Sequence, residues 1–178
     1  MINEFNQIYK AEAVHVWNCL HRLGVDERDL EDKVHDVFVT YYRKADSFDK
    51  TVPVRAWLCG IAVKVAAAHR RKAYRKRETL CDGDRLMDMP QSDASKLEYD
   101  PEAQLSQKET RTIIRRALSR LNENQRNVFV LHDMEQYSIP DIAKIIDLPI
   151  NTLYSQLRHA RKKFASALEK MSSAGGER

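Results

Sequence analysis

The residues between Asn151 and Lys162 carry side chains that could bind nucleic acid. Amide, hydroxyl, imidazole and cationic groups recur there at helical spacing. Such groups can hydrogen-bond base edges and neutralise phosphates. The polar face of this helix comprises Asn151, Thr152, Tyr154, Ser155, Arg158, His159 and Lys162. An ordinary helical hairpin with a solvated basic face would show the same pattern.

A second basic stretch lies near the middle of the chain. Six of the eight residues at 70–77 are Lys or Arg, with Tyr74 among them. The cations can neutralise phosphates while the aromatic ring stacks on a base. Taken alone, this run is equally well explained as a solvated charged segment.

No motif for enzymatic chemistry or metal binding accompanies these segments. The sequence holds no P-loop, no HExxH and no Gly-rich dinucleotide turn. Cys19, Cys59 and Cys81 are far apart, which favours buried thiols in a reducing compartment over a disulfide or zinc site. We therefore expect no enzyme, cofactor, metal or small-molecule substrate.

The composition favours a helical cytoplasmic protein. Hydrophobic residues make up 43% of the chain and charged residues 31%, and only five Gly and five Pro are present. A β-sandwich or barrel would need more turn residues. No apolar run approaches the roughly 18 residues of a membrane helix, and acids stand where a signal peptide would be basic. We expect no membrane insertion.

Apolar spacing predicts three helices in the first part of the chain. Steps of three and four from Ile2 to Leu23 predict a long helix that Gly24 ends. Asp26 is the predicted cap of a second helix, and Thr51 with Pro53 opens a third. The predicted buried stripe of the second helix is Leu30, Val34, Val37, Phe38 and Tyr41.

The chain then changes character. Acids outnumber bases between Glu78 and Glu109, and no helical period survives to about residue 100. Asp100 and Pro101 can start the next helix, and Asn122 with Gln125 resembles a capping box. We expect an all-α fold with two small domains, at 1–77 and 110–171, joined by an acidic flexible linker at 78–109 and followed by a disordered tail at 172–178.

The second domain is predicted to end in a helix-turn-helix. Ser138 and Asp141 can cap a short helix, and position 147 needs a positive φ where the chain turns. Asn151 is the predicted cap of the longer helix, whose buried side is Leu153, Leu157, Ala160, Phe164 and Leu168. This arrangement leaves the polar face free to enter a major groove.

Three segments of the sequence resemble sigma factors of the extracytoplasmic-function (ECF) group. The stretch ALSRLNENQRNVFVLHDMEQYSIPDIAKIIDLPINTLYSQLRHARKKF resembles region 4. DLEDKVHDVFVTYYRKADSFD and AWLCGIAVKVAAAHRRKAYRKR resemble successive parts of region 2. The resemblance implies a region 2 bundle of three to four helices and a region 4 helix-turn-helix. It implies a polymerase specificity subunit: region 2 binds the clamp helices of the largest subunit and melts the −10 element, and region 4 binds the −35 element and the β-flap.

This resemblance gives the remaining segments expected roles. A mixed acidic and apolar patch suits docking on core polymerase, and comprises Glu31, Asp32, His35, Asp36 and Phe38. The −10 contacts are expected from Phe48, Arg55, Trp57, Lys64, Arg70, Arg71, Tyr74 and Arg75. An anti-sigma factor is the expected further partner.

Several positions depart from the family pattern. Lys64 stands where Asn is usual, Lys33 where Leu is usual and Ala68 where Asp is usual. In the recognition helix, Tyr154 and Gln156 replace common basic residues, and Gln can read adenine. We expect altered promoter preference. Two alternatives remain at this stage: a helix-turn-helix regulator that acts without polymerase, and a polymerase-docking protein that reads no promoter.

Overall fold

The computed structural model describes residues 2–45, 51–78 and 101–175, with side chains over 4–45, 51–74 and 110–171. Every regular element in these segments is helical, which confirms the predicted fold class. None of the helices there is long and apolar enough to span a membrane.

In the described part of the first domain lie three α-helices: α1 (Ile2–Arg22), α2 (Leu30–Lys44) and α3 (Val54–Glu78). Gly24 follows the last turn of α1 with φ of 90°, a conformation that glycine adopts without a steric cost. The predicted end of α1 is therefore confirmed.

The start of α2 differs from the prediction. Glu27–Asp29 form a short 3-10 turn, and α2 begins only at Leu30. Asp26 precedes the 3-10 turn without accepting a side-chain capping hydrogen bond, so its predicted role as the cap of α2 is wrong. Its carboxylate instead lies near Arg28 and Arg115.

The predicted apolar stripe of α2 is buried throughout. Phe38 is only 1% exposed. Its ring packs against Tyr9, with centroids 4.7 Å apart, and edge-on against Phe5. Aromatic pairs in this geometry add to the free energy that burial supplies. The ring thus ties α2 to α1.

Four helices form the second domain: α4 (Pro101–Ser119), α5 (Glu123–Phe129), α6 (Ile139–Ile146) and α7 (Ile150–Gly175). Asn122 and Gln125 make the reciprocal capping box that the sequence predicts. A π-helical turn, Val130–Met134, continues α5 towards the chain reversal at Gln136, where φ is 62°.

Two segment boundaries in the structure differ from the predicted ones. α4 begins at Pro101, as the Asp100–Pro101 pair predicts, so residues 101–109 are helical rather than part of the linker. α7 continues to Gly175, so residues 172–175 of the predicted tail are helical too. Residues 79–100, most of the predicted linker, lie outside the described residues.

The two domains dock on each other. α6 of the second domain packs against α3 of the first, and one continuous hydrophobic core contains side chains from both. A smaller cluster joins Val52 and Ala56 to Ile145 across the same boundary. This docking fixes the two functional faces in one body.

Candidate nucleic-acid interface

Helices α6 and α7 form the predicted helix-turn-helix. The Ser138 hydroxyl accepts a hydrogen bond from the Asp141 backbone N–H and donates to its carboxylate. Pro140 lies in the first turn, where its missing N–H costs little. Asp147 ends α6 in the left-handed region, with φ of 56°. The cap at Ser138 and the positive φ at position 147 match the sequence-based prediction.

The longer helix starts two residues earlier than predicted, because a cap at Asn151 would make Thr152 its first residue. α7 begins at Ile150, and the Pro149 carbonyl accepts its first backbone hydrogen bond from Leu153. Asn151 therefore lies inside the first turn rather than at the cap, and the prediction of its capping role is wrong. Its side chain is exposed. It is free to face a ligand instead.

The buried and exposed sides of α7 separate as expected. Leu153, Leu157 and Ala160 are buried against the rest of the domain. Of the predicted polar face, Thr152 is half-buried and the others are exposed: Asn151, Tyr154, Ser155, Arg158, His159 and Lys162. Tyr154 is 56% exposed although it is aromatic. The face is a continuous polar and cationic surface.

Gln156 does not belong to this surface. It is half-buried, and its Oε1 atom is buried without a hydrogen-bond partner. Helical spacing explains this, because Gln156 lies three residues after Leu153 and four before Ala160, on the inward side. The suggestion that it reads adenine is therefore wrong for this arrangement.

One basic residue of α7 is bound within the domain. The Arg161 guanidinium donates two hydrogen bonds to the Asp133 carboxylate, at 2.8 and 2.6 Å. This hydrogen bonding raises the pKa of Arg161. The pair holds α7 against the π-helical turn and makes Arg161 a positioning residue.

Some of the predicted −10 residues are exposed along α3, and others contact side chains of the same protein. Lys64, Arg71 and Tyr74 are exposed along α3. The exposed Arg55 guanidinium is held by the Glu12 carboxylate at 2.7 Å, and the half-buried Trp57 ring meets Tyr41 edge-on. Phe48 and the side chain of Arg75 lie outside the described residues.

Arg70 points into the boundary between the domains. One of its guanidinium nitrogens donates to the Leu23 carbonyl, and another lies 3.6 Å from the Glu123 carboxylate of the second domain. Burial lowers its pKa. In the docked arrangement the Arg70 side chain is only 19% exposed, and its contact with −10 DNA stays a prediction.

Arg126 approaches the same boundary from the second domain. Its guanidinium donates to the carbonyls of Leu118 and Leu121, at 2.9 and 3.1 Å, and reaches Leu23 of the first domain at 3.5 Å. Burial lowers its pKa to about 10, which leaves it charged at neutral pH. Carbonyls at chain turns thus hold cations from both domains.

The acidic patch on α2 is largely accessible. Glu31, Asp32, His35 and Asp36 are exposed, and Lys33 pairs with Asp36 at 2.5 Å. Phe38 is the exception, because it points into the core and presents no surface to a partner. The burial of Phe38 therefore contradicts its predicted place in the polymerase-binding patch.

A polar cluster that sequence reasoning missed lies between the domains. Glu135 of the second domain is almost fully buried, 2.5 Å from Arg22 and 3.4 Å from His15 of α1. His15 Nε2 also lies 3.2 Å from Cys59 Sγ, and the Tyr137 hydroxyl lies 3.8 Å from that sulfur. The cluster therefore joins α1 and α3 to the second domain.

The side chains of this cluster shift one another's pKa values. A hydrogen bond with Cys19, together with those from His15 and Tyr137, lowers the pKa of Cys59 to about 6. The hydrogen bond with Cys59 raises the pKa of His15, and burial raises that of Tyr137. Each group of the cluster thus changes the proton affinity of its neighbours.

In one further group of potential metal ligands, neighbouring cations pair with the carboxylates. Asp26, Asp29 and His69 bring their ligand atoms within 4.8 Å of one another, which in the described part of the chain no other such group does. Arg28 lies within 4 Å of both carboxylates, and His69 pairs with Asp29 at 3.6 Å. The group functions as an ion-pair network.

Family models match the two domains separately. Residues 8–76 match the model described as Sigma-70 region 2, and residues 111–164 match Sigma-70, region 4. The sequence is 30% identical over 140 residues to the ECF RNA polymerase sigma-E factor of Escherichia coli, covering 78% of this chain and 73% of that protein. It is 27% identical to the RNA polymerase sigma factor CnrH of Cupriavidus metallidurans, covering 93% of this chain and 86% of that protein.

Solved structures share the fold. The sigma factor RpoE of Bartonella quintana, in complex with the anti-sigma factor NepR, superposes with a TM-score of 0.71 at 23% identity, over 93% of this chain and 97% of that one. CnrH in complex with the cytosolic domain of CnrY gives 0.67 at 22% identity, over 96% and 90%. Both alignments include the two domains of this chain.

Proposed function

Since the chain belongs to the extracytoplasmic-function group of RNA polymerase sigma factors, we propose that α7 reads the −35 element and α3 contacts the −10 element of its promoters. As a member of this family it binds core RNA polymerase and directs promoter-specific transcription initiation. The observation that carries the −35 assignment is the exposed polar face of α7, beside a buried apolar side.

The −35 contacts divide into two kinds. The Arg158 and Lys162 cations and the Asn151 amide lie on the same exposed face of α7. Arg and Asn can bond base edges with two hydrogen bonds, whereas Lys more often neutralises a phosphate. Tyr154, on the same face, can make apolar contact with a thymine methyl group.

Lys64, Arg71 and Tyr74 are the residues of α3 that we assign to the −10 element. Their cations can neutralise phosphates, and the Tyr74 ring, 63% exposed, can stack on an unpaired base. We assign core polymerase binding to Glu31, Asp32, His35 and Asp36, whose acids and imidazole form an exposed surface on α2.

The proposed function also includes the roles of the domains, the location of the protein and its regulator. We propose two functional domains, at 1–77 and 110–171, that act without catalysis of their own. The cytoplasm is the proposed location, because core polymerase and promoter DNA are there. An anti-sigma factor is the proposed regulator, because the two structural neighbours are named in complexes of a sigma factor with its anti-sigma factor or partner domain.

Transcription with purified core polymerase on a random-sequence promoter library tests this function. The wild-type chain is expected to give transcripts from a shared −35 and −10 sequence. The Tyr154→Ala/Arg158→Ala variant is expected to bind core equally well but to lose selection at −35. DNA binding without transcripts would instead favour a polymerase-independent regulator, and core binding alone would favour a docking protein.

A further inference from the structure

Two buried cysteines of the first domain lie against each other, beside a histidine. Cys19 of α1 and Cys59 of α3 are both 0% exposed, and the two helices pack together. A hydrogen bond joins the two thiols. Cys59 Sγ also lies 3.2 Å from His15 Nε2 and 3.8 Å from the Tyr137 hydroxyl. None of these four side chains belongs to the surfaces that we assign to polymerase or DNA.

The surroundings of the two sulfurs differ, and this gives the thiols different reactivity. The hydrogen bond to Cys59, together with burial, raises the pKa of Cys19 well above its ordinary value, so this thiol keeps its proton. Hydrogen bonds from Cys19, His15 and Tyr137 lower the pKa of Cys59. Because the thiolate is the nucleophilic form of cysteine, Cys59 is the better nucleophile of the two. Cys19 is placed to react with it in a second step.

A small oxidant can approach this pair although both sulfurs are buried. The His15 side chain is 18% exposed, and its Nε2 atom is the one that lies against Cys59 Sγ. The sulfur is therefore directly beneath a side chain that reaches the surface, and hydrogen peroxide is little larger than water. In a reducing compartment, disulfides that do form are usually transient and act in catalysis or redox sensing.

We propose that Cys59 and Cys19 are a peroxide-sensitive pair that closes to a disulfide between α1 and α3. The Cys59 sulfur attacks one peroxide oxygen, so that an S–O bond forms and the O–O bond breaks. His15 accepts the thiol proton and passes it to the leaving hydroxide, which becomes water. The Cys19 sulfur then attacks the sulfenic sulfur, the S–S bond forms and the S–O bond breaks, and the second hydroxide leaves as water with the Cys19 proton. The two thiols together lose two electrons, and one peroxide is reduced to two waters.

Peroxide treatment of the full chain tests this modification. Cys81→Ser leaves Cys19 and Cys59 as the only thiols. Hydrogen peroxide is expected to protect both from maleimide labelling after denaturation, to lower the mass by two hydrogen atoms and to join the two cysteine peptides. Dithiothreitol is expected to reverse all three changes. Two thiols that stay labelled, or a disulfide that joins separate chains, would overturn the proposal.

Single cysteine variants of this chain test the order of the two steps. Cys19→Ala is expected to stop at a sulfenic acid on Cys59, which dimedone labels, because no second thiol can close the disulfide. Cys59→Ala is expected to leave Cys19 unreacted, because that thiol is buried and protonated. Circular dichroism confirms the fold of each variant. A sulfenic acid on Cys19, with none on Cys59, contradicts the assigned order.

The role of His15 as proton acceptor has a separate test. His15→Gln is expected to slow disulfide formation at least tenfold at neutral pH, and to lose this difference at alkaline pH, where the thiol ionises without a base. His21→Gln is the matched control, because His21 is half-buried on the same helix but stacks on Trp17. Equal rates for His15→Gln and the wild type at neutral pH, or equal slowing by both variants, refute this role.

Oxidation is also expected to change the titration of His15. The hydrogen bond with Cys59 raises the pKa of His15, and a disulfide sulfur carries neither a proton nor a charge. Glu135 and Arg55 also act on this ring, but oxidation changes neither. The pKa of His15, measured by proton NMR, is therefore expected to fall in the oxidised chain and to recover with dithiothreitol. An unchanged pKa contradicts the site. These measurements need neither polymerase nor DNA, so their outcome is independent of the proposed function.

Discussion

Arg158 is an exposed cation on the third turn of α7, where its guanidinium can distinguish one DNA sequence from another. Arg158→Ala is expected to weaken binding to the preferred −35 sequence by about 1–3 kcal/mol, and to leave binding to unrelated DNA almost unchanged, if the side chain reads a base. Equilibrium binding to matched and mismatched duplexes at fixed salt measures both.

Arg161→Ala is the matched control for this prediction. It lies on the same helix but its guanidinium is already bound to Asp133. Its loss is expected to lower the stability of the second domain more than its discrimination between duplexes. An equal loss of affinity on every duplex for Arg158→Ala would indicate a phosphate contact and refute base reading.

Substitutions of Phe38 and Asp32, both on α2, are expected to affect different properties: the first stability and the second polymerase binding. Phe38→Ala is expected to lower the free energy of unfolding by about 3–5 kcal/mol, because the ring fills the core between α1 and α2. Asp32→Asn is expected to weaken binding to core polymerase with little change in stability, because Asp32 is exposed. Urea unfolding and a core-binding titration distinguish them. The assignment fails if Asp32→Asn binds core as tightly as the wild type.

Helical spacing already contained the evidence for Phe38 and Gln156. Phe38 lies four residues after Val34 and three before Tyr41, both on the buried side of α2. Gln156 lies between Leu153 and Ala160 on the inward side of α7. Phe38 belongs to the stripe that the sequence predicted, and the error was to assign it a ligand role as well. Gln156 lies next to the predicted stripe of α7 and is half-buried there.

At the scale of elements, the α6–α7 turn depends on Asp147. Its φ of 56° is costly for most side chains, and least so for Asn, Asp and Gly. Asp147→Val is expected to destabilise the second domain by about 1–2 kcal/mol, whereas Asp147→Asn is expected to be almost neutral. Thermal unfolding compares them. Equal melting temperatures for the two variants would contradict a backbone origin.

Local chemistry made most elements predictable. The capping box at Asn122, the cap at Ser138 and the glycine end of α1 are signals within a few residues, and the structure has all three. The start of α2 was missed because both Asp26 and Asp29 are possible caps, and only packing selects Leu30 as the first α-helical residue. Ends of helices therefore depend on tertiary contacts more than their interiors do.

At the scale of the whole molecule, the docking of the domains could not be predicted. Its partners are far apart in the chain, as with Arg22 and Glu135 or Arg70 and Glu123, and such pairs leave no periodic pattern. Gly60 was the available signal, since a glycine inside a long helix suggests close approach of another segment. That signal identifies a contact but not the partner.

The Glu135–Arg22 pair gives the most direct control over this docking. Glu135→Gln keeps the shape of the side chain but removes the charge between Arg22 and His15, so docking is expected to weaken by about 1–2 kcal/mol, less than a fully buried pair because Arg22 is partly exposed. Fluorescence energy transfer between dyes on the two domains is expected to fall by an amount that reports this shift.

Asp133→Asn is the control for that change, because Asp133 lies two residues away but pairs with Arg161 inside the second domain. It is expected to leave the interdomain distance unchanged while lowering the stability of the second domain. If both variants opened the molecule equally, the effect would come from loosening of the π-helical turn. The docked state would then depend on the folding of the second domain rather than on charge across the boundary.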